Sequence, residues 1–159
     1  MNSRIIVGNG KKHLIFFSLV FFVVLLDQIS KYLVRAMDKE IVVNSFFKIA
    51  FVKNTGISFG LFHGWNTVFI CIAVMFIGGI LFYYDKIILR DILIYSFALI
   101  TAGAIGNLLD RIFLGYVTDF IAFNFFYVFN VADSAITIGA IILIIDSFRK
   151  RSVPGKGLL

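Results

Sequence analysis

The sequence predicts an all-α membrane protein with four transmembrane helices and a small extracytoplasmic β-sheet in the first outer loop. Of the 159 residues, 60% are hydrophobic and only 15% are charged, whereas soluble domains are closer to half apolar and a quarter charged. Four apolar stretches approach the roughly 20 residues that a helix needs to cross a bilayer core. The stretches are continuous and do not alternate in polarity, which favours helices over a β-barrel.

The predicted helices cover residues 14–34, 66–84, 92–112 and 131–148. The first stretch follows Lys11 and Lys12, as the apolar part of a signal peptide would. No small-residue cleavage site follows it, and its end carries Asp27 and Lys31 instead. We therefore interpret it as a retained transmembrane helix. All 159 residues are assigned to a single integral membrane domain.

Basic residues predict the orientation of the helices. Both tails and the short loop 85–91 carry Lys and Arg, loop 113–130 carries neither, and loop 35–65 is mixed in charge. Because cytoplasmic loops of membrane proteins are enriched in Lys and Arg, both termini are predicted to be cytoplasmic. Loops 35–65 and 113–130 are then the outer loops.

The first outer loop contains the segment IVVNSFFKIAFVKNTGISFGLF, residues 41–62. β-Branched and aromatic residues dominate it, and Asn-Thr-Gly is a turn signal. This pattern predicts a short sheet at the membrane interface, where a platform could hold a substrate at the membrane surface.

The composition argues against several other kinds of site. The net charge of +6 comes from basic residues beside apolar stretches, which is typical of contacts with lipid headgroups and argues against a nucleic-acid partner. The single cysteine, Cys71, excludes a disulfide within the chain. The two histidines, His13 and His63, have no partner at the spacing of a helical metal site, so no metal is expected.

Unusual polar residues converge at the outer end of the predicted bundle. They come from four separate segments: Asp27 and Lys31, then Asn107, Asp110 and Arg111, then Asp119, and finally Asp133. An ionisable group in hydrocarbon is costly unless it is paired or hydrated, so such residues indicate a functional site.

Asp119 and Asp133 are candidates for a catalytic pair. Two facing carboxylates cannot both ionise cheaply and tend to share one proton. The ionised member could take a proton from water while the protonated member donates to the scissile carbonyl oxygen. Two structural alternatives stay open: Asp133 or Asn130 caps the fourth helix, and Asp119 lies in a solvated turn.

The other polar residues permit both structural and functional interpretations. Asp27 and Lys31 stand at i and i+4, the spacing of a simple ion pair, which could also support a site. Arg111 could extend to lipid phosphate or orient a carboxylate through two hydrogen bonds. Gly103 and Gly106 offer small surfaces for close helix packing.

Five motifs follow one another in a recognisable order: DQISKYL, KNTGISFG, GAIGNLLDRI, GYVTDFI and FNVADSAITIG. With four apolar stretches around them, the chain resembles the lipoprotein signal peptidase (signal peptidase II) family of aspartic membrane proteases over residues 14–149. The resemblance implies an endopeptidase of the bacterial cytoplasmic membrane with its active site near the outer leaflet. It implies that the enzyme removes the signal peptide from diacylglyceryl-modified prolipoproteins, cutting just before the lipidated cysteine with an aspartate dyad and water.

The resemblance also implies roles for particular residues. The catalytic dyad maps onto Asp119 and Asp133. Substrate-binding or supporting positions map onto Asp27, Lys31, Asn54, Gly56, Gly103, Asn107, Asp110, Arg111, Asn130 and Ala132. Thr118 and Lys53 match variable positions and are given no role. The family implies no metal or organic cofactor, and it implies membrane lipids and a cyclic peptide inhibitor of the globomycin type as partners.

Two alternatives from other functional classes remain open to test. A small transporter or ion-conducting subunit would use the carboxylates as ion sites, although the polar residues gather at one end of the predicted bundle and not at its middle. A scaffold subunit would use them only to hold helices together. Ion flux in sealed vesicles would identify the first, and stability loss without a specific reaction would identify the second.

Overall fold

The computed structural model describes residues 3–37, 39–56, 65–124 and 127–151. The end of the predicted first outer loop, residues 57–64, lies outside the described residues, together with the last four residues of the KNTGISFG motif. The elements, in chain order, are α1 (Ser3–Arg35), β1 (Ile41–Val42), β2 (Phe47–Asn54), α2 (Asn66–Phe82), α3 (Tyr84–Ile87), α4 (Asp91–Phe113), β3 (Val117–Phe123) and α5 (Val131–Arg151).

The long helices follow the apolar stretches of the sequence. Within the described residues, three segments are long and apolar enough to cross a membrane: Gly10–Arg35, Asp91–Phe113 and Val131–Arg149. The remaining apolar helix, α2, has 17 residues and ends at Phe82, two residues before the predicted end. The next residues, Tyr84–Ile87, form the separate short helix α3. The structure therefore confirms a mostly helical membrane protein.

Helix α4 lies at the centre of the bundle and packs against α1, α2 and α5. Small residues let α4 and α5 approach closely. A Cβ at Gly103 would collide with the Ala132 carbonyl and the Ile136 side chain, and a Cβ at Gly139 would lie 2.7 Å from the Ser96 carbonyl oxygen. The interface is thus built on contacts that larger residues would prevent.

An apolar cluster fills the end of the bundle that carries α3. Its members are Phe16, Ile80, Ile87, Ile88, Ile94 and Ala98. The Tyr84 ring packs edge-on against Phe16 at a centroid distance of 5.0 Å, and its hydroxyl lies 2.7 Å from Nδ1 of His13. This cluster joins the beginnings of α1 and α4 to the end of α2.

A three-stranded antiparallel sheet with the order β1-β2-β3 lies at the opposite end of the bundle. The predicted sheet in the first loop is present as β1 and β2, and the loop between α4 and α5 adds β3, which the prediction did not include. Val117, Phe120 and Ala122 of β3 are buried, so the backbone of this segment needs protein partners, and β2 provides them. Gly115, with φ of 80°, makes the tight turn that leads from α4 into β3.

Candidate active site

The side chain of Asp119 is held by two amide groups. The residue lies in β3 opposite Val52 and is 2% exposed, so the solvated-turn alternative is wrong. Its Oδ2 accepts a hydrogen bond from Asn54 Nδ2 at 2.8 Å, and its Oδ1 accepts one from Asn130 Nδ2 at 2.7 Å. Burial and the nearby Asp133 carboxylate raise the pKa of Asp119 to about 7, although both amides act in the opposite direction.

Asp133 takes part in the cap of α5. Its backbone N–H donates to Asn130 Oδ1 at 2.9 Å, and its Oδ2 accepts from the Asn130 backbone N–H at 3.3 Å. These reciprocal bonds resemble a capping box, with Asn130 as the N-cap. The capping alternative is therefore confirmed, but Oδ1 of Asp133 takes no part in the cap. That oxygen accepts a hydrogen bond from Asn107 Nδ2 at 2.8 Å.

Both aspartates face one small cavity of about 80 Å³. Its lining residues are Asn54, Gly56, Asn107, Arg111, Val117, Asp119, Tyr127, Val128 and Asp133. A space of this size can hold water. Two carboxylates and a water-sized cavity together form an arrangement suited to acid-base hydrolysis.

Asn130 connects the two aspartates. Its amide nitrogen also lies 3.1 Å from Asn107 Oδ1 and 3.3 Å from the carbonyl oxygen of Thr118. The residue is fully buried. Asn130 therefore caps α5. It contacts the Asp119 carboxylate through its side chain and the Asp133 carboxylate through its backbone N–H.

A buried cation lies behind Asn107. Lys31 Nζ is 2.8 Å from Asp27 Oδ2, 3.0 Å from Asn107 Oδ1 and 3.4 Å from Asp110 Oδ2. The Lys31 and Asp27 side chains are completely buried. The predicted ion pair is confirmed, and it extends into a network that reaches the Asp133 carboxylate through the Asn107 amide.

Asp27 also fixes the position of α5. Its Oδ1 accepts a hydrogen bond from the backbone N–H of Ala132 at 2.9 Å. A Cβ at Gly106 would lie 2.5 Å from Asp27 Oδ2, so glycine at that position makes room for the carboxylate. The small residues of α4 thus serve the polar site as well as helix packing.

Asn54, Gly56 and Arg111 form another wall of the cavity. The Gly56 backbone N–H donates to Asn54 Oδ1 at 3.0 Å, and this turn leaves the Asn54 amide nitrogen directed at Asp119. The Arg111 guanidinium lies over the Phe69 ring, 5.3 Å from its centroid. Stacking on Phe69 places the positive charge of Arg111 beside the two carboxylates.

Two mainly apolar grooves adjoin the cavity. One of about 280 Å³ is lined by Tyr127, Phe129, Asp133, Ser134, Thr137 and Ile138. The other, of about 300 Å³, is lined by Phe69, Ile72, Ala73, Phe76, Ile100, Ala104, Asn107, Arg111 and Ile136. Because each groove shares residues with the cavity, an apolar ligand in either groove would lie next to the carboxylates.

A family model described as "Signal peptidase (SPase) II" matches residues 19–149, which include every residue of the site described above. The chain belongs to the signal peptidase II family. Membership makes it a membrane peptidase that removes signal peptides from prolipoproteins, and it confirms the peptidase prediction over the transporter and scaffold alternatives.

Relatives and solved structures agree with the family. A lipoprotein signal peptidase of Caldanaerobacter subterraneus subsp. tengcongensis is 47% identical over 132 residues, covering 79% of this chain and 90% of the relative. One from Fusobacterium nucleatum subsp. nucleatum is 33% identical and covers 92% of each chain. A bacterial membrane enzyme solved by the in meso method at 2.3 Å resolution aligns with a TM-score of 0.81, 29% identity and coverage of 91% of this chain and 93% of the other.

The structure of this signal peptidase brings the predicted site residues together. Six of the twelve line the cavity: Asn54, Gly56, Asn107, Arg111, Asp119 and Asp133. Lys31 and Asn130 hydrogen-bond to lining residues. The other four lie one contact further out: Asp27 and Asp110 pair with Lys31, Ala132 donates its N–H to Asp27, and Gly103 packs against Ala132. Their catalytic and supporting roles remain predictions, which the geometry makes specific.

Sequence reasoning missed three residues of the signal peptidase site. Thr118 is fully buried next to Asp119, although it was given no role, and it accepts a hydrogen bond from Arg35. Tyr127 lines both the cavity and the 280 Å³ groove. Arg35 looked like one charge of a mixed loop, and only the three-dimensional structure shows its contact with β3.

Proposed function

We propose that Asp119 and Asp133 are the catalytic dyad of this signal peptidase, and that they activate water to cleave diacylglyceryl-modified prolipoproteins just before the lipidated cysteine. The observation that carries the proposal is the shared cavity, which both carboxylates line. Separate amide donors hold each carboxylate in place.

The dyad performs acid-base hydrolysis with one shared proton. The ionised carboxylate takes a proton from water, whose oxygen attacks the scissile carbonyl carbon, while the protonated carboxyl donates to the carbonyl oxygen. Collapse of the tetrahedral intermediate breaks the C–N bond: the leaving cysteine nitrogen takes the proton that the first carboxylate removed from water, and the second carboxylate takes back the proton from the intermediate's hydroxyl as the carbonyl re-forms. The raised pKa of Asp119, about 7, supports a proton held by the pair at neutral pH.

The two apolar grooves suit the two apolar parts of such a substrate. A diacylglyceryl cysteine is anchored in the bilayer by two acyl chains, and its signal peptide is an apolar helix in the same membrane. Grooves that meet at the dyad would hold these parts on either side of the scissile bond. The enzyme then recognises lipid and small residues more than a long sequence.

The proposed membrane arrangement has four spans in one domain of residues 1–159, with both termini cytoplasmic and the sheet and dyad near the outer leaflet. Helix α2, at 17 residues and a rise of about 1.5 Å each, reaches about 26 Å, the lower limit for a span. Lys86, Arg90 and Arg149 lie at the end opposite the sheet, which supports this orientation. A peptide inhibitor of the globomycin type would block access to the dyad.

Substitution of either aspartate by asparagine tests the dyad. We expect Asp119→Asn and Asp133→Asn each to lower kcat by about 10³-fold or more, because neither can exchange the shared proton. The measurement is cleavage of a diacylglyceryl-modified prolipoprotein peptide by purified protein in detergent micelles with EDTA present. Thermal unfolding checks that each variant is folded.

Asp91→Asn is the matched control, because Asp91 is an exposed carboxylate paired with Lys12 at the other end of α4. Its kcat should equal that of the wild type. A folded Asp119→Asn or Asp133→Asn variant that retains wild-type kcat would exclude the dyad. Equal cleavage of peptides with and without the diacylglyceryl group would exclude the proposed recognition of lipid.

Activity should fall as the pH rises above about 7. Below the raised pKa of Asp119 the pair holds the proton that the general acid donates, and above that pKa the proton is lost. The profile of kcat between about pH 5 and 9, at saturating substrate, reports the titration of the pair. A rate that still increases up to about pH 9 would contradict the acid role of the shared proton.

A further inference from the structure

Thr118 is held on the side of β3 that faces away from the dyad. Successive side chains of a strand point to opposite faces, so Thr118 points away from the cavity that Asp119 lines. Its side chain is fully buried. Its Oγ1 accepts a hydrogen bond from Arg35 Nη1 at 2.9 Å, and Arg35 is the last residue of α1.

The backbone of Thr118 is held as firmly as its side chain. The Thr118 N–H donates to Asp110 Oδ2 at 2.8 Å, and the Thr118 carbonyl oxygen lies 3.3 Å from Asn130 Nδ2. The Arg35 guanidinium lies 3.7 Å from the other oxygen of Asp110. Contacts from α1, α4 and the start of α5 therefore meet at the residue that directly precedes Asp119.

We propose that Arg35 and Thr118 are positioning residues for peptide cleavage, because their hydrogen bond holds β3 in the place that directs Asp119 at Asp133. The inference rests on the proposed dyad. Neither residue lines the cavity, so both act through Asp119 and not on the substrate.

The sheet alone does not fix Asp119 firmly. The β2–β3 pairing is irregular between Ile49 and Val52, and Val52 is the residue that pairs with Asp119. The extra residue lies in β2. Such an irregularity interrupts the ladder of backbone hydrogen bonds and bends the strand that carries it. The hydrogen bond between Arg35 and Thr118, on the other face of β3, therefore holds the strand in place where the ladder with β2 is interrupted.

Arginine suits this attachment better than lysine would. The planar guanidinium presents several donors in a fixed geometry, so it can contact Thr118 and Asp110 together. The Arg35 side chain is 23% exposed, and a charged donor in a partly dehydrated place forms a stronger hydrogen bond than a neutral one. A lysine would offer a single point charge to the same two partners.

The test compares variants that remove or keep the hydrogen bond. Thr118→Val keeps the side-chain shape without the oxygen, Thr118→Ser keeps the oxygen, and Arg35→Met removes the donor. We expect Thr118→Val and Arg35→Met to lower kcat about 10- to 100-fold with KM little changed, because small displacements of a catalytic group cost about that much. Thr118→Ser should retain most of the wild-type kcat. The double variant should be no slower than the slower single variant, since both changes remove one bond.

Lys48→Met is the matched control, because it removes an exposed cation of β2 that pairs with an exposed Glu40, and it should leave kcat unchanged. Arg35→Met alters a partly exposed helix end, so it carries the test if Thr118→Val does not fold. A lower unfolding temperature with wild-type kcat in both variants would overturn the proposal. Fully additive effects in the double variant would also overturn it.

The outcome for Asp119→Asn separates this inference from the proposed function. If that variant is inactive while Arg35→Met and Thr118→Val have wild-type kcat, the dyad stands and the positioning role fails. If folded Asp119→Asn remains active, the dyad itself is wrong, whatever the other variants show.

Discussion

The two ends of the helical bundle bury entirely different side chains against the same helices. In its first half, α1 buries Phe16 in the apolar cluster. Near its end, it buries Asp27 and Lys31, neither of which is exposed at all. The apolar end depends mainly on complementary shape, with the hydrogen bond between Tyr84 and His13 as its polar contact, whereas the polar end requires a partner for every charge and amide. Helix α1 therefore contributes to an apolar cluster at one end of the bundle and to the polar site at the other.

The membrane makes this contrast sharper than it would be in water. Lipid is as apolar as a protein core, so the apolar cluster gains packing but little hydrophobic free energy over exposure to lipid. A buried charge without its partner is costly in either environment. Substitutions at the polar end should thus have the larger effects on both stability and activity.

The largest effect is expected for Lys31→Met. The change leaves Asp27 as a buried carboxylate without a cation, leaves Asp110 with only the more distant Arg35, and frees the Asn107 amide that holds Asp133. We expect a loss of about 3–5 kcal/mol in the free energy of unfolding, together with loss of cleavage. Chemical unfolding in micelles and the peptide assay measure the two effects.

A double variant identifies the cause of that loss. Lys31→Met combined with Asp27→Asn removes both charges of the pair and should recover part of the lost stability, because fewer carboxylates remain buried without a cation. If Lys31→Met is as stable as the wild type, the buried network does not contribute to folding, and the contrast between the two ends is wrong.

A smaller effect is expected for Phe16→Ala in the apolar cluster. The cavity it leaves should cost about 2 kcal/mol, at about 24 cal/mol per Å³ of void. The kcat of the folded variant should equal that of the wild type, since Phe16 lies at the end of the bundle remote from the dyad. A fall in kcat at unchanged KM would show that packing at this end reaches the active site.

The smallest effect is expected for the exposed pair of Lys48 and Glu40, whose atoms are 2.8 Å apart. The distance equals that between Lys31 and Asp27, but water screens the exposed pair. Lys48→Met should change the free energy of unfolding by about 1 kcal/mol at most. A larger loss would mean that distance, and not burial, determines the value of an ion pair in this protein.

The sequence predicted the parts of the fold that the membrane dictates. Apolar stretches such as 92–112 match α4 closely, since lipid leaves a backbone no alternative to the helix. The strand β3 was missed because its polarity pattern is short and its pairing partner lies far away along the chain. Its place in the sheet depends on β2, on the turn at Gly115 and on the burial of Val117.

The candidate site was predictable where residue type alone indicates chemistry. Carboxylates beside apolar stretches, such as Asp119 and Asp133, attract attention because their burial is costly. Thr118 and Arg35 carry no such signal, since threonine in a strand and arginine at a helix end are ordinary. Asn130 had a predicted role, but its simultaneous contact with both aspartates and the helix cap arises only from tertiary structure.

The spacing of Asp27 and Lys31 also bears on how the chain enters the membrane. One helical turn separates them, and their charges are 2.8 Å apart within α1. Helix α1 therefore carries its own counter-charge and can partition into lipid as a nearly neutral segment. Asn107, Asp110 and the start of α5 come later in the chain and join a pair that already exists, so Lys31 enters the bundle with its counter-charge in place.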